Sequence, residues 1–315
     1  PVAYCALTIR AGTRDESVAH NGIAHLTEHM LFKGTTSKGA KRINNFLEKL
    51  GGELNAYTTK EETVIHATML KEDIGKAVEL ISDLVFNSVY PQKELIKEKD
   101  VVLKEIASYR DTPSEQIFDD FDEFLFGEHS LAMPILGKPN SVKRIGVENI
   151  KEFTRRFYYT GNMSFSIVAD ISETRGEWLV RKHFDKRDNN GLGTFLPNSG
   201  QTQKITIPLD RERRVSKKTY QAHCVAGIPA YNLYSNKRLP LALLTNIVGG
   251  PALNSKLNQV LREKYALVYT VDAHYTPYSD TGLLSIYFGT DKANLNKSLE
   301  ILDGELLKIR ENKIK

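Results

Sequence analysis

A chain of 315 residues is long enough for two domains with separate cores. Its 43 basic and 39 acidic residues are interleaved and sum to a net charge of +4, too mild a field to argue for nucleic acid, and no Lys/Arg block with stacking aromatics occurs. No apolar run reaches the ~18 residues of a membrane-spanning helix, and Cys5 and Cys224, each alone in an apolar stretch, cannot build a zinc ribbon.

In chain order, residues 1–9 alternate as a strand and lack the marks of a signal peptide. A helix is predicted over residues 23–32, which contain no Pro or Gly, with Gly34 placed to cap its C-terminus. Another is predicted over 38–50, where Ile43, Phe46, Leu47 and Leu50 fall at helical spacing and Gly51-Gly52 ends the run. Residues 54–59 and 63–70 read as paired strands joined by Lys60-Glu61-Glu62, with His66 a sheet residue rather than a ligand. Residues 73–86 form an amphipathic helix, and Pro91 suits the first turn of one that runs unbroken to Tyr109. Phe118, Phe121, Phe124 and Phe126 are expected in a core; 147–157 reads as a helix and 163–171 as a strand.

Residues 186–203, rich in Asn, Gly, Ser and Pro, form the candidate linker. The order then partly repeats: a strand over 219–228, helices over 239–248 and 253–261, and paired strands over 268–274 and 282–289. Hairpin-like neighbours among these strands favour α+β with mainly antiparallel sheet over a parallel βαβ array.

The chemistry concentrates in His25-Leu26-Thr27-Glu28-His29. On a helix the two histidines lie one turn apart on one face, with Glu28 beside them. Imidazoles so placed suit a zinc ion, and the carboxylate between them suits proton exchange with water. The order His-x-x-Glu-His is the reverse of the commoner zinc-protease order; a helix whose histidines merely fall four apart meets the same spacing. In the helix after Pro91, Glu98 and Glu105 stand about two turns apart on one stripe. One carboxylate there could complete a His-His-Glu tripod with a fourth position left for water, or the pair could line a solvated face. No G-x-G-x-x-G or G-x-S-x-G motif stands in a fitting setting.

His25 to His29, followed by Glu105 in a Val-Val-Leu-x-Glu context, resembles the pitrilysin/insulinase family of inverted-motif zinc peptidases. So do Asn21-Gly22-Ile23-Ala24, Met30-Leu31-Phe32-Lys33-Gly34, Gly51 through Thr58, Pro134-Ile135-Leu136-Gly137 and Tyr159 through Met163. The branch it is most similar to contains bacterial processing-type proteases and the mitochondrial processing peptidase β subunit. By that resemblance His25, His29 and Glu105 bind one Zn2+ per chain, Glu28 is the general base, and Glu98 supports catalysis from beside the site. Lys104 stands where many relatives carry a second Glu, which leaves the ligand set intact. The strand bearing Asn55, Ala56 and Tyr57 would accept substrate as an added strand, although its spacing also fits an ordinary hairpin edge. In Arg262 through Tyr269 the resemblance assigns the Arg and the Tyr to the substrate backbone; spacing alone shows a helix end running into a strand.

The resemblance thus implies a zinc metalloendopeptidase that cleaves peptides or unfolded polypeptide held extended between two homologous domains. The expected fold class is α+β: two α/β-sandwich-type domains, each a mainly antiparallel sheet packed with helices, over residues 1–195 and 196–315. In the second, Leu241 through Asn246 occupies the motif helix's place without His or Glu, and this domain is expected to be truncated at 315. A homodimer, or a heterodimer with a homologous subunit, is the expected working unit, soluble in a bacterial cytoplasm or periplasm. The alternatives are a non-catalytic partner subunit, whose mark is loss of the His/Glu set that is complete here, and a zinc hydrolase of non-peptides.

Overall fold

In β1 (Val2–Ile9) every second residue is apolar and small or branched, so Ala3, Cys5, Leu7 and Ile9 turn inward while Val2 and Tyr4 face out. The computed structural model describes residues 2–185, 205 and 212–311; the linker expected at 186–203 lies outside the described residues. The chain divides into two compact units, Pro1–Ser108 with Glu128–Lys204 and Tyr109–Gly127 with Ile205–Lys315.

In the first unit β1 leads through two 3-10 turns into α1 (Ile23–Leu31) and α2 (Ala40–Glu48), then the hairpin β2 (Glu53–Thr58) and β3 (Thr63–Leu70). α3 (Ile74–Asn87), α4 (Gln92–Arg110), α6 (Pro139–Arg144), α7 (Val147–Phe157), β4 (Met163–Val168) and α8 (Glu173–Phe184) complete it; α5 (Pro113–Phe126) belongs to the second unit. The sheet runs β2-β3-β1-β4, antiparallel throughout, with β2 at one edge. α1, α2 and α3 pack against it, and α7 and α8 close over α1 and α3. The core between these layers joins the inward residues of β1 and β3 to Leu26, Met30, Ile43, Leu80, Leu84 and Val102.

The second unit builds a sheet in the order β5-β7-β6 from β5 (Ala222–Ala230), β6 (Val268–Pro277) and β7 (Gly282–Thr290). α9 (Arg238–Gly249) packs on β6, and α10 (Leu295–Glu311) brings Leu302 to a core that includes Leu257, Leu261, Val271 and Phe288. On the sheet, α5 sets Phe121 against Gly227 and Phe118 against Tyr287, while buried Phe126 meets Tyr278; Phe118, Phe121 and Phe124 are half-buried. The order strand, helix, helical segment, two paired strands, helix is common to both units. So is the sheet order, β2-β3-β1 against β6-β7-β5. α9 takes the place of α1 and has no His or Glu.

Several local expectations differ, among them the strand expected over 219–228, which is Ala222–Ala230, and that over 268–274, which continues to Pro277. α1 ends at Leu31 with Phe32 as its cap, because Gly34, at φ 146°, enters a short antiparallel bridge with Gly39 instead. The strand from Met163 stops at Val168. The helix expected over 253–261 starts later and is wound as a π-helix over Asn258–Lys264, which buries Leu261 while Asn258 bonds Ser255 Oγ at 2.9 Å. Cys5 is buried and Cys224 half-buried, and both are free thiols.

Candidate metal centre

α1 supplies His25, Glu28 and His29, and its start is fixed by groups outside the helix. Gly22, its N-cap, has φ 96° and no side-chain cap. A Cβ on Gly22 would stand 2.8 Å from Leu136 O, and one on Gly137 (φ 79°) would stand 2.4 Å from Asn21 O, so two glycines meet back to back here. Asn21 Nδ2 donates to Pro134 O at 3.0 Å, and Ser141 Oγ donates to Asn21 O at 2.7 Å. The Glu16 carboxylate then caps from a distance, accepting from Asn21 Nδ2, Gly22 N and Ala24 N, each at 2.8 Å.

α4 lies across from this helix face. Leu95, Glu98, Val102 and Ile106 form its buried stripe, so Glu98 is a carboxylate in an otherwise apolar row. Its two oxygens have separate partners: Oε2 meets His29 Nδ1 at 3.1 Å, and Oε1 meets Lys33 Nζ at 2.8 Å. This fixes the ring of His29 and leaves its Nε2 pointing elsewhere. Glu105, two turns on, places Oε2 3.7 Å from His29 Nε2 and 4.0 Å from His25 Nε2. The two rings stand edge to face with centroids 4.6 Å apart.

These separations fit a metal. Glu105 Oε2 is buried and has no hydrogen-bond partner among the described residues, although two ring nitrogens face it. Burial, reinforced by His29, lowers the pKa of His25 to about 4, so its imidazole is neutral and carries a free lone pair at neutral pH. Donor atoms of His25, His29 and Glu105 all lie within 4.8 Å of one another, the one such group of three among the described residues. Ligands of a tetrahedral ion with bonds of ~2.1 Å stand about 3.4 Å apart, so a small inward shift of the side chains closes the tripod.

Glu28 is 9% exposed, and burial raises its pKa; a hydrogen bond from Thr58 Oγ1 to Glu28 Oε2, at 2.6 Å, acts in the opposite direction. Glu28, His25, His29, Glu98 and Glu105 therefore converge, all within the first unit. Asn55, Ala56 and Tyr57 lie on the edge strand β2, with Asn55 and Tyr57 exposed and Ala56 N donating to Asn55 Oδ1 at 2.9 Å. Arg262 and Tyr269 lie in the second unit, Arg262 near the end of the π-helix and Tyr269 at an irregularity of β6. There Val268 pairs with Thr290 and Thr270 with Gly289, so Tyr269 is the extra residue of a bulge, and its phenol donates to Asp291 Oδ1 at 3.1 Å.

Thr58, Lys33 and Glu16 escaped the reading of the sequence. Period-2 alternation could have turned Thr58 inward beside Ala56, and Lys33 follows His29 by one helical turn. Glu16 precedes the helix by too many residues for any capping-box rule.

Fold and centre first define a class: an α+β protein with two halves of like topology, one of which carries a His-His-Glu set suited to a divalent metal beside a buried carboxylate. The chain belongs to the insulinase peptidase family, M16: the pattern for "Insulinase (Peptidase family M16)" matches residues 1–139, and that for "Peptidase M16 inactive domain" matches residues 144–315. It is 32% identical over 307 residues to the "Uncharacterized zinc protease YmxG" of Bacillus subtilis, covering 97% of this chain and 73% of that protein. An "Uncharacterized zinc protease" of Rickettsia felis is 31% identical over 305 residues, 97% of this chain and 72% of the relative. Among solved structures, a protease from Helicobacter pylori superposes with a TM-score of 0.89 at 21% identity, covering all of this chain and 76% of that one. Pitrilysin gives 0.75 at 18% identity, with 34% of its chain covered. The fold is thus that of M16 peptidases, and the general activity is that of a protease.

Proposed function

We propose that the protein is a zinc-dependent endopeptidase acting on peptides or unfolded polypeptide segments bound in extended form. The observation that carries this reading is the buried, unpartnered Glu105 Oε2 facing two imidazole Nε2 atoms, with Glu28 buried alongside. His25, His29 and Glu105 would hold one zinc ion, and bound zinc supplies Lewis-acid activation of a water and of the scissile carbonyl. Glu98 keeps His29 in the tautomer whose Nε2 lone pair faces the centre, and Lys33 neutralises Glu98 in its buried position. Burial makes Glu28 a stronger proton acceptor than a solvated carboxylate, as a general base working near neutral pH requires. Glu28 takes the proton of the attacking water and passes it to the leaving amine.

Substrate would be held by its backbone. β2 is an edge strand, so Asn55-Ala56-Tyr57 offers main-chain groups for an added strand. Arg262 and Tyr269 lie at a π-helix and a bulge, two irregularities that re-aim side chains and recur beside functional sites. Arg262 has a forked donor and Tyr269 a phenol, both exposed, and both suit a peptide carbonyl. A dimeric working unit, with a second copy or with a homologous subunit, rests on the sequence resemblance and is checked by sedimentation of the purified chain.

Glu28→Gln tests the reading. The amide cannot accept a proton, so the variant should keep its zinc and lose ~100-fold or more in kcat on a quenched peptide library. Wild-type turnover by this variant would remove Glu28 as the base and the mechanism with it.

A further inference from the structure

The edge strand and the general base are joined by one contact. Thr58 is the last residue of β2, next after Asn55-Ala56-Tyr57, and its side chain turns to the helix side of the sheet. Its Oγ1 lies 2.6 Å from Glu28 Oε2, a charge-assisted hydrogen bond in a position where Glu28 is almost fully buried. Among the described residues no other donor reaches the Glu28 carboxylate. The hydroxyl takes one lone pair of Oε2 and sets the plane of the carboxylate, which leaves Oε1 as the oxygen with no partner among the described residues and the more basic of the two. Without the contact the carboxyl group could turn about its terminal bond, whose preference is broad and nearly two-fold, and present either oxygen in many directions.

We infer that Thr58 is a positioning residue that fixes which oxygen of Glu28 acts as the base and aims it, tying that base to the strand on which substrate pairs. The inference rests on the reading of Glu28 as general base. Among the described residues β2 is held by β3 on one side only, through the register from Glu53↔Thr68 to Thr58↔Thr63. A substrate strand on its free side would brace the backbone at Thr58, so pairing of substrate and aiming of Glu28 become parts of one event. This is how remote binding is turned into orientation at the reacting centre.

The test uses the full chain loaded with zinc, and the variants Thr58→Val, Thr58→Ser, Glu28→Gln and the double variant Glu28→Gln/Thr58→Val. Val keeps the shape of Thr and removes only the hydroxyl. Zinc content, melting temperature, kcat and KM on one quenched peptide are measured for each. Thr58→Val should hold full zinc and a KM within about twofold of wild type, with kcat lower by about tenfold, because orientation rather than binding is lost. Thr58→Ser should recover most of kcat, and in the Glu28→Gln background Thr58→Val should change nothing further. Wild-type kcat in Thr58→Val, or an equal further loss in the double variant, would overturn the inference. So would a loss confined to zinc content or KM. If Glu28→Gln is inactive while Thr58→Val is fully active, only the role of Thr58 fails; if Glu28→Gln is itself active, the reading of the base fails first.

Discussion

Glu16→Ala should loosen the start of the helix that carries both histidines. The carboxylate is the distant cap of α1: it accepts from Asn21 Nδ2, Gly22 N and Ala24 N at 2.8 Å, and the N-cap Gly22 has no cap of its own. Ala24 is fully buried, so its N–H cannot turn to water when the acceptor is gone. Burial pushes the Glu16 carboxyl up to about 8 against the three donors that favour its ionised form, so no charge is counted, and an orphaned buried donor costs about 1–3 kcal/mol. Two backbone donors are orphaned, and a water entering the space of the lost side chain recovers part of the cost. The expected loss is therefore about 2–4 kcal/mol in local opening free energy. At about 1.4 kcal/mol per factor of ten, the amides of Gly22 and Ala24 should exchange with deuterium roughly 30- to 1,000-fold faster than in the wild type. Glu16→Gln retains one acceptor oxygen and should show roughly half that free-energy loss. Protection of both amides within about threefold of wild type in Glu16→Ala would show that the back-to-back glycines alone define the helix start.

His29→Ala and Glu105→Gln should each lose most of the expected one zinc per chain by elemental analysis; full zinc in both would refute the tripod. Arg262→Ala and Tyr269→Phe should keep zinc and fold but lower kcat/KM by about tenfold or more, about 1.4 kcal/mol, and unchanged kinetics in both folded variants would make the second half scaffold only. The buried pair Lys38–Asp83, Nζ to Oδ2 at 3.0 Å, ties the loop after α1 to α3. Burial alone would raise the Asp83 carboxyl, but hydrogen bonds from Asn87, Lys38, Thr35 and Ser37 together hold its pKa below the usual carboxylate value. Its contribution to stability is thus present above about pH 4 and lost as pH falls through the depressed pKa. Asp83→Ala, which strands the buried ammonium, should cost about 3–5 kcal/mol in urea unfolding at pH 7 and flatten the acid limb of the melting curve; an unchanged acid limb would remove Asp83 from it.

Much of the molecule was legible in the residues because local rules reported it. Alternation in 2–9 and 63–70, helical stripes such as Ile74, Val78, Ile81 and Val85, and breakers at Gly51 and Pro91 are short-range properties, and β1, β3, α3 and α4 fall close to the expected ranges. His25, Glu28 and His29 are one turn of one helix, so their proximity was decided by backbone geometry alone. Other features depended on what comes near in space. Glu98 and Glu105 share a stripe of α4, but only packing against α1 turns Glu98 to His29 Nδ1 and Glu105 to the two Nε2 atoms. The cap from Glu16, the bond from Thr58 to Glu28 and the partnership of Lys33 with Glu98 link residues whose types are common on any surface. The π-helix around Arg262 and the bulge at Tyr269 arise where the core draws in Leu257 and Leu261 and the register slips by one residue, a demand no local propensity encodes. A sequence states its periodicities and breakers in every window; the partners of a buried polar atom are chosen by which surfaces the core brings together.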